Sequence, residues 1–245
     1  MKKLKPNNPS FWIFLFIAVI TGVLWQFQIG RYILYPFAIL GTWFHEFSHG
    51  MMALILGGSF HKLELYPNGS GIAYYNGNLF LGNIGNTLVA LAGPLGPAIF
   101  GGCLILASKN KKSANIFLYF FALILIATDI IWIRTVFGVI IIFVISILLL
   151  LITRFASDKI KIITAQFLGV QAIMSIYLSI GYLFSKGGDI GGNSYYSDTQ
   201  VVANYLILPY WFWGSFVLII SALILISSLK SVYFSKKNSE KKLTT

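Results

Sequence analysis

Apolar runs of about 18 residues or more recur along this 245-residue chain, near residues 11–29, 32–57, 84–107, 114–132, 134–153, 162–184 and 204–229. In water such runs would expose most of their side chains, whereas ~20 apolar residues in a helix cross the ~30 Å hydrocarbon core of a bilayer. Lipid offers the backbone no hydrogen bonds, so the runs are read as helices that satisfy their own amides. The expected fold is an all-α polytopic membrane protein with about seven transmembrane helices, in the cell membrane. The first run has no Ala-x-Ala-like cleavage site after it and is read as a span.

Composition agrees: 57% of residues are hydrophobic and 10% charged, with a mean hydropathy of +0.80, against ~25% charged in soluble domains. Soluble, disordered and nucleic-acid-binding classes are thereby excluded. The formal charge of +11 comes from lysines and arginines in short loops and the C-terminal tail, where they face anionic headgroups. The partner they imply is the lipid bilayer, with no nucleic acid. Cys103 stands alone and forms no intrachain disulfide.

Two stretches, 58–83 and 185–203, are rich in turn residues instead of apolar ones. In the first, His61, Leu63 and Leu65 alternate up to the turn Pro67-Asn68-Gly69, and Ile72 and Tyr74 alternate after it. That pattern predicts a small β-hairpin near the membrane. The chain therefore reads as one membrane-embedded domain over 1–245. Residues 32–107 hold a motif helix, the hairpin and a helix broken by glycine and proline, and 230–245 form a basic tail. With seven spans, twelve basic residues fall on one side and six on the other, which favours a cytoplasmic C-terminus. Lys2, Lys3 and Lys5 then sit on the wrong side, so orientation stays open.

The chemistry concentrates in the second run, at His45-Glu46-Phe47-Ser48-His49. Two histidines four residues apart share one helical face and can hold one Zn²⁺. The glutamate between them stands where a general base would take a proton from water. A hydrogen-bonded polar cluster joining helices is the simpler alternative. Against it, each ionisable residue at mid-membrane costs roughly 2.5–3.5 kcal/mol, and nothing in the same helix pairs with these three.

A catalytic zinc takes a third protein ligand. Glu240 lies in the lysine-rich tail and Asp158 beside Lys159, so both read as solvated charges. Glu64 reads as an exposed strand residue, and Asp129 as a partner of Arg134 at a helix end. Asp189 and Asp198 remain, both in the loop before the last span. Elsewhere, Asn83 and Asn86 read as helix caps or as groups polarising a carbonyl. Gly93-Pro94-Leu95-Gly96-Pro97 marks a kink shaping access or packing, and Tyr210, Trp211 and Trp213 form an interfacial belt.

The His-Glu-Phe-Ser-His helix is followed by Gly57-Gly58 and by Leu63-Glu64-Leu65-Tyr66-Pro67-Asn68-Gly69-Ser70-Gly71. Val89-Ala90-Leu91-Ala92-Gly93-Pro94-Leu95-Gly96-Pro97, Phe167-Leu168-Gly169-Val170-Gln171, Ser197-Asp198 and the stretch from Pro209 to Trp211 come later. Together they resemble the B-like branch of the site-2 protease group of membrane metallopeptidases, over roughly residues 40–220. The resemblance implies His45 and His49 as zinc ligands, Glu46 as catalytic base and Asp198 as third ligand. It also implies a membrane-spanning protein as substrate. The chain departs from better-known members in having no Asp-Gly pair. The competing expectation is a non-catalytic metal-binding membrane protein, a pseudoprotease or scaffold. Substrate identity and oligomeric state are not encoded in these residues.

Overall fold

Helices carry the apolar runs in the computed structural model, which describes residues 9–190 and 192–234. In chain order the elements are α1 (Pro9–Leu24), α2 (Gln28–Ile55), β1 (Ser59–Leu65), β2 (Gly71–Asn76), α3 (Asn83–Ala107), α4 (Lys111–Ile131), α5 (Val136–Phe155), α6 (Asp158–Leu178), α7 (Ile180–Leu183), β3 (Gly187–Ile190), β4 (Asn193–Tyr196), α8 (Asp198–Tyr205) and α9 (Tyr210–Leu229). A π-helical turn, Lys230–Phe234, extends α9.

Five of these helices are long and apolar enough to cross a membrane: α3, α4, α5, α6 and α9 with its extension. The first two expected spans are instead a bent pair, Phe11–Leu24 and Gln28–Ile55, meeting at 116° and counting together as one further span. The chain is thus an integral membrane protein of five or six spans where seven were expected. The physical reason lies in α1, whose 16 residues reach only about 24 Å at ~1.5 Å per residue. The last expected span, 204–229, likewise divides into the last two residues of α8 and the whole of α9.

The ring of Phe11 meets those of Tyr233 and Phe234, with centroids 5.5 and 5.3 Å apart. The start of α1 and the end of α9 therefore adjoin. Residues 1–8, and the basic tail from residue 235 onward, lie outside the described residues.

Packing in lipid gains little from burying apolar area, so close fit and small residues decide which helices meet. Gly101 of α3 lies against Gly169 of α6, each 3.3 Å from the other's carbonyl oxygen at the place a Cβ would occupy. The core is aromatic: Trp43, Phe44 and Phe47 of α2 meet Phe100 of α3 and Phe121 of α4. Trp43 and Phe47 stack at 4.7 Å and 11°. The Trp43 indole N–H finds the Thr128 hydroxyl at 3.1 Å, satisfying its one polar atom inside the bundle.

The expected hairpin is present. β1 and β2 pair antiparallel, with a register shift between Phe60 and Lys62. A second hairpin, β3 with β4, lies in the stretch read only as turn-rich. Helix α3 runs unbroken through Pro94 and Pro97, although each proline removes one backbone donor. Neither Asn83 nor Asn86 caps it, since the N-cap is Gly82, with no side-chain cap bond.

Candidate metal centre

Helix α2 divides its faces by the 3.6-residue period. Leu40, Trp43, Phe44 and Phe47 enter the core. Ala38, Gly41, Thr42, His45 and His49 line a cavity of about 780 Å³. Glu46, one residue past His45, lies at the border between the two faces and also lines the cavity.

The two imidazoles point at each other, Nε2 to Nε2, at 3.2 Å. His49 Nδ1 lies 2.7 Å from the Val89 carbonyl oxygen. A carbonyl only accepts, so Nδ1 carries the proton and Nε2 is left with its lone pair facing the cavity. Asp198 closes the triangle, with Oδ2 2.9 Å from His45 Nε2 and Oδ1 3.2 Å from His49 Nε2. One donor atom from each of the three residues lies within 4.8 Å of the others.

These separations suit one small cation. Donors about 2.0–2.2 Å from a tetrahedral metal should stand roughly 3–4 Å apart. The donor chemistry, two imidazole nitrogens and one carboxylate, matches a three-ligand site with an open fourth position.

Asp198 reaches the site as the first residue of α8. Ser197 caps that helix, its hydroxyl oxygen accepting the Gln200 N–H at 3.2 Å. The same hydroxyl donates to the Ser185 carbonyl at 2.6 Å, and Thr199 donates to the Leu183 carbonyl at 2.8 Å. Both neighbours of Asp198 are thereby tied to the α7 region.

Glu46 is held from the other side. Its Oε2 accepts the Ala73 backbone N–H at 2.8 Å, and its Oε1 stands 4.0 Å from His45 Nε2. The strand register explains why that amide is available. Leu63 donates to the Trp132 carbonyl (2.8 Å) and accepts from Arg134 N–H (3.1 Å), so its main chain faces away from β2. Ala73, its cross-strand partner, then belongs to a non-hydrogen-bonded pair and turns its own N–H and C=O outward. Leu65 likewise uses its main chain on Thr135, which frees its partner Gly71. The edge of β2 that lines the cavity therefore has no partner strand, its Ala73 N–H being taken by Glu46.

Helix α3 forms the wall beside His49. A Cβ at Gly93 would lie 2.1 Å from His49 Nε2, and one at Gly96 would lie 2.1 Å from Ser48 Oγ. The two glycines let α3 seat against the motif helix at the imidazole itself.

The other acidic residues stay out of the triangle. Asp189 lines the cavity wall on β3, where Ser194 donates to it at 2.5 Å. Asp129 is buried and does not pair with Arg134, whose guanidinium donates to the carbonyls of Ile130, Ile131 and Ile133. Glu64 is not the exposed strand residue expected: Lys62 and Tyr66 donate to it at 2.7 and 2.6 Å. Burial works against its charge, but these donors and Tyr74 outweigh it and lower its pKa. Asn83 and Asn86 do not line the cavity. Tyr75, which the sequence did not single out, does, and its ring faces that of His49 at 6.5 Å and 24°. Burial, then the charges of Asp198 and Glu46, push its phenol up to about 12, so it stays protonated near neutral pH.

The family model described as Peptidase M50B-like matches residues 12–228. No curated protein and no solved structure matches the chain.

Proposed function

The chain belongs to the Peptidase M50B-like family, and from that premise we propose that it is a zinc-dependent intramembrane endopeptidase cutting a membrane-spanning protein substrate. The observation that carries the reading is the convergence of His45, His49 and Asp198 on one point, with Glu46 beside it and the cavity of about 780 Å³ in front. His45, His49 and Asp198 would hold the zinc, which supplies Lewis-acid activation of water and of the scissile carbonyl. Glu46 takes the proton of the attacking water as its oxygen bonds to the carbonyl carbon. It then returns that proton to the departing amide nitrogen as the C–N bond breaks. The Ala73 N–H on Oε2 leaves Oε1 as the oxygen free for this transfer.

The non-catalytic alternative gains ground if no carboxylate can reach the two histidines, and the 2.9 and 3.2 Å contacts of Asp198 favour the enzyme. Asp198→Ala is expected to lower zinc affinity at least ~100-fold, more than the loss of an outer-shell partner costs. Asp189→Ala and Asp129→Asn should leave it unchanged. Zinc content of the purified protein after dialysis against a graded chelator measures this. Full zinc occupancy in Asp198→Ala would remove Asp198 from the site.

A peptide bond locked in a helix is closed to attack, so the substrate must be held unwound. The edge of β2 can hold it by adding a strand through the outward groups of Gly71 and the carbonyl of Ala73, the Ala73 N–H staying on Glu46. Ile72 lies between them and faces β1, so Ile72→Pro removes a ladder bond and disorders that edge. Cleavage should fall at least tenfold while zinc is retained, read as product formed per mole of bound zinc. Full cleavage by Ile72→Pro would count against strand addition.

A further inference from the structure

Hydrolysis of an amide places negative charge on the carbonyl oxygen, and a donor aimed at that oxygen is commonly among the largest contributions a protein makes. Most hydroxyls around the cavity have a partner, Ser70 donating to Asn68. Thr42 donates to the Gly69 carbonyl, Ser175 to Ala172, Ser179 to Ser175 and Tyr182 to Tyr196, while Tyr74 is engaged with Glu64. Three phenols, those of Tyr195, Tyr196 and Tyr75, have no hydrogen-bond partner among the described residues, and of the three only Tyr75 has its ring against a histidine of the triangle. Tyr75 lies two residues after Ala73, so both side chains leave the same face of β2, and its ring lies against His49.

We propose that the Tyr75 hydroxyl donates a hydrogen bond to the carbonyl oxygen of the scissile peptide as that oxygen becomes an oxyanion. The inference rests on the endopeptidase reading above. No proton leaves Tyr75. Its O–H bond stays intact while the water oxygen adds to the carbonyl carbon and Glu46 carries the proton, and the hydrogen bond weakens again when the C–N bond breaks and the carbonyl re-forms. Placement on β2 ties the donor to the same strand that holds Glu46, so base and oxyanion donor keep a fixed separation.

The test is Tyr75→Phe, which keeps the ring on His49 and removes only the hydroxyl. The assay uses full-length protein in mixed micelles and a quenched library of synthetic membrane-spanning peptides with Gly- and Asn-containing centres. The expected result is a turnover number lowered roughly 100- to 1,000-fold, with KM and zinc content unchanged. A phosphinic peptide that mimics the tetrahedral state should bind more weakly by a similar factor. Wild-type turnover in Tyr75→Phe, or a raised KM with turnover kept, overturns the role while leaving the endopeptidase reading intact. If wild-type protein with full zinc cleaves no member of the library, the endopeptidase reading falls and takes this one with it.

Discussion

Replacing Glu46 by glutamine is expected to leave zinc bound and to lower turnover by about 10²–10⁴-fold, the range of a lost general base. The expectation follows from how the side chain is held. Its Oε2 accepts the Ala73 N–H at 2.8 Å, and a glutamine carbonyl accepts the same bond, so the variant keeps the side chain's position. What it loses is a group that can take a proton. Metal retention is expected because the ligand triangle is made by His45, His49 and Asp198, and Glu46 stands 4.0 Å from the nearest imidazole nitrogen. Zinc analysis and turnover measured on one preparation decide the matter. Retained turnover would end the base assignment, and joint loss of zinc would make Glu46 a ligand.

The second large effect is expected from a single methyl group. Gly93→Ala puts a carbon 2.1 Å from His49 Nε2, well inside contact distance, and the helix backbone behind it leaves the imidazole as the part that moves. Alanine is otherwise the better helix former by about 1 kcal/mol, so the fold should persist while the ligand is displaced. Zinc affinity should drop at least ~100-fold, the upper range for loss of supporting interactions at a metal site, and cleavage should drop with it. Gly22→Ala, which meets nothing within 4 Å, is the matched control. Normal zinc binding by Gly93→Ala would show that α3 can withdraw from the motif helix.

These two variants also mark how far local pattern reaches. His45, Glu46 and His49 were legible because their chemistry depends on helical spacing, which is a property of neighbouring residues. The first hairpin was legible for the same reason, through alternation around Pro67-Asn68-Gly69. Asp198 was harder, because its meeting with α2 depends on tertiary packing across the bundle. Residue pattern alone left it level with Asp189, and only the family resemblance separated them. A local signal was nonetheless present: Ser197 followed by Gln200 is a helix-start signature, and it places Asp198 on the first turn of α8. Nothing local marks Gly93 or Tyr75, which meet His49 only through tertiary packing. The span count was misread because hydropathy is blind to direction. The apolar runs on both sides of Gln26 look like two crossings whether the chain passes through or folds back at 116°.

The bridge between Leu63 and Ile133 has a consequence for where cuts can fall. It occupies the far side of β1, so the first hairpin is a template with one vacant margin. A polypeptide lying along that margin presents alternate residues to the metal side and to the opposite side. Sliding by one residue would reverse every one of them and bring different side chains against the walls. Displacements of two residues preserve the match. Under the strand addition proposed above, such a scaffold would meter its substrate in dipeptide steps, and secondary cut sites are expected an even number of bonds from the main one.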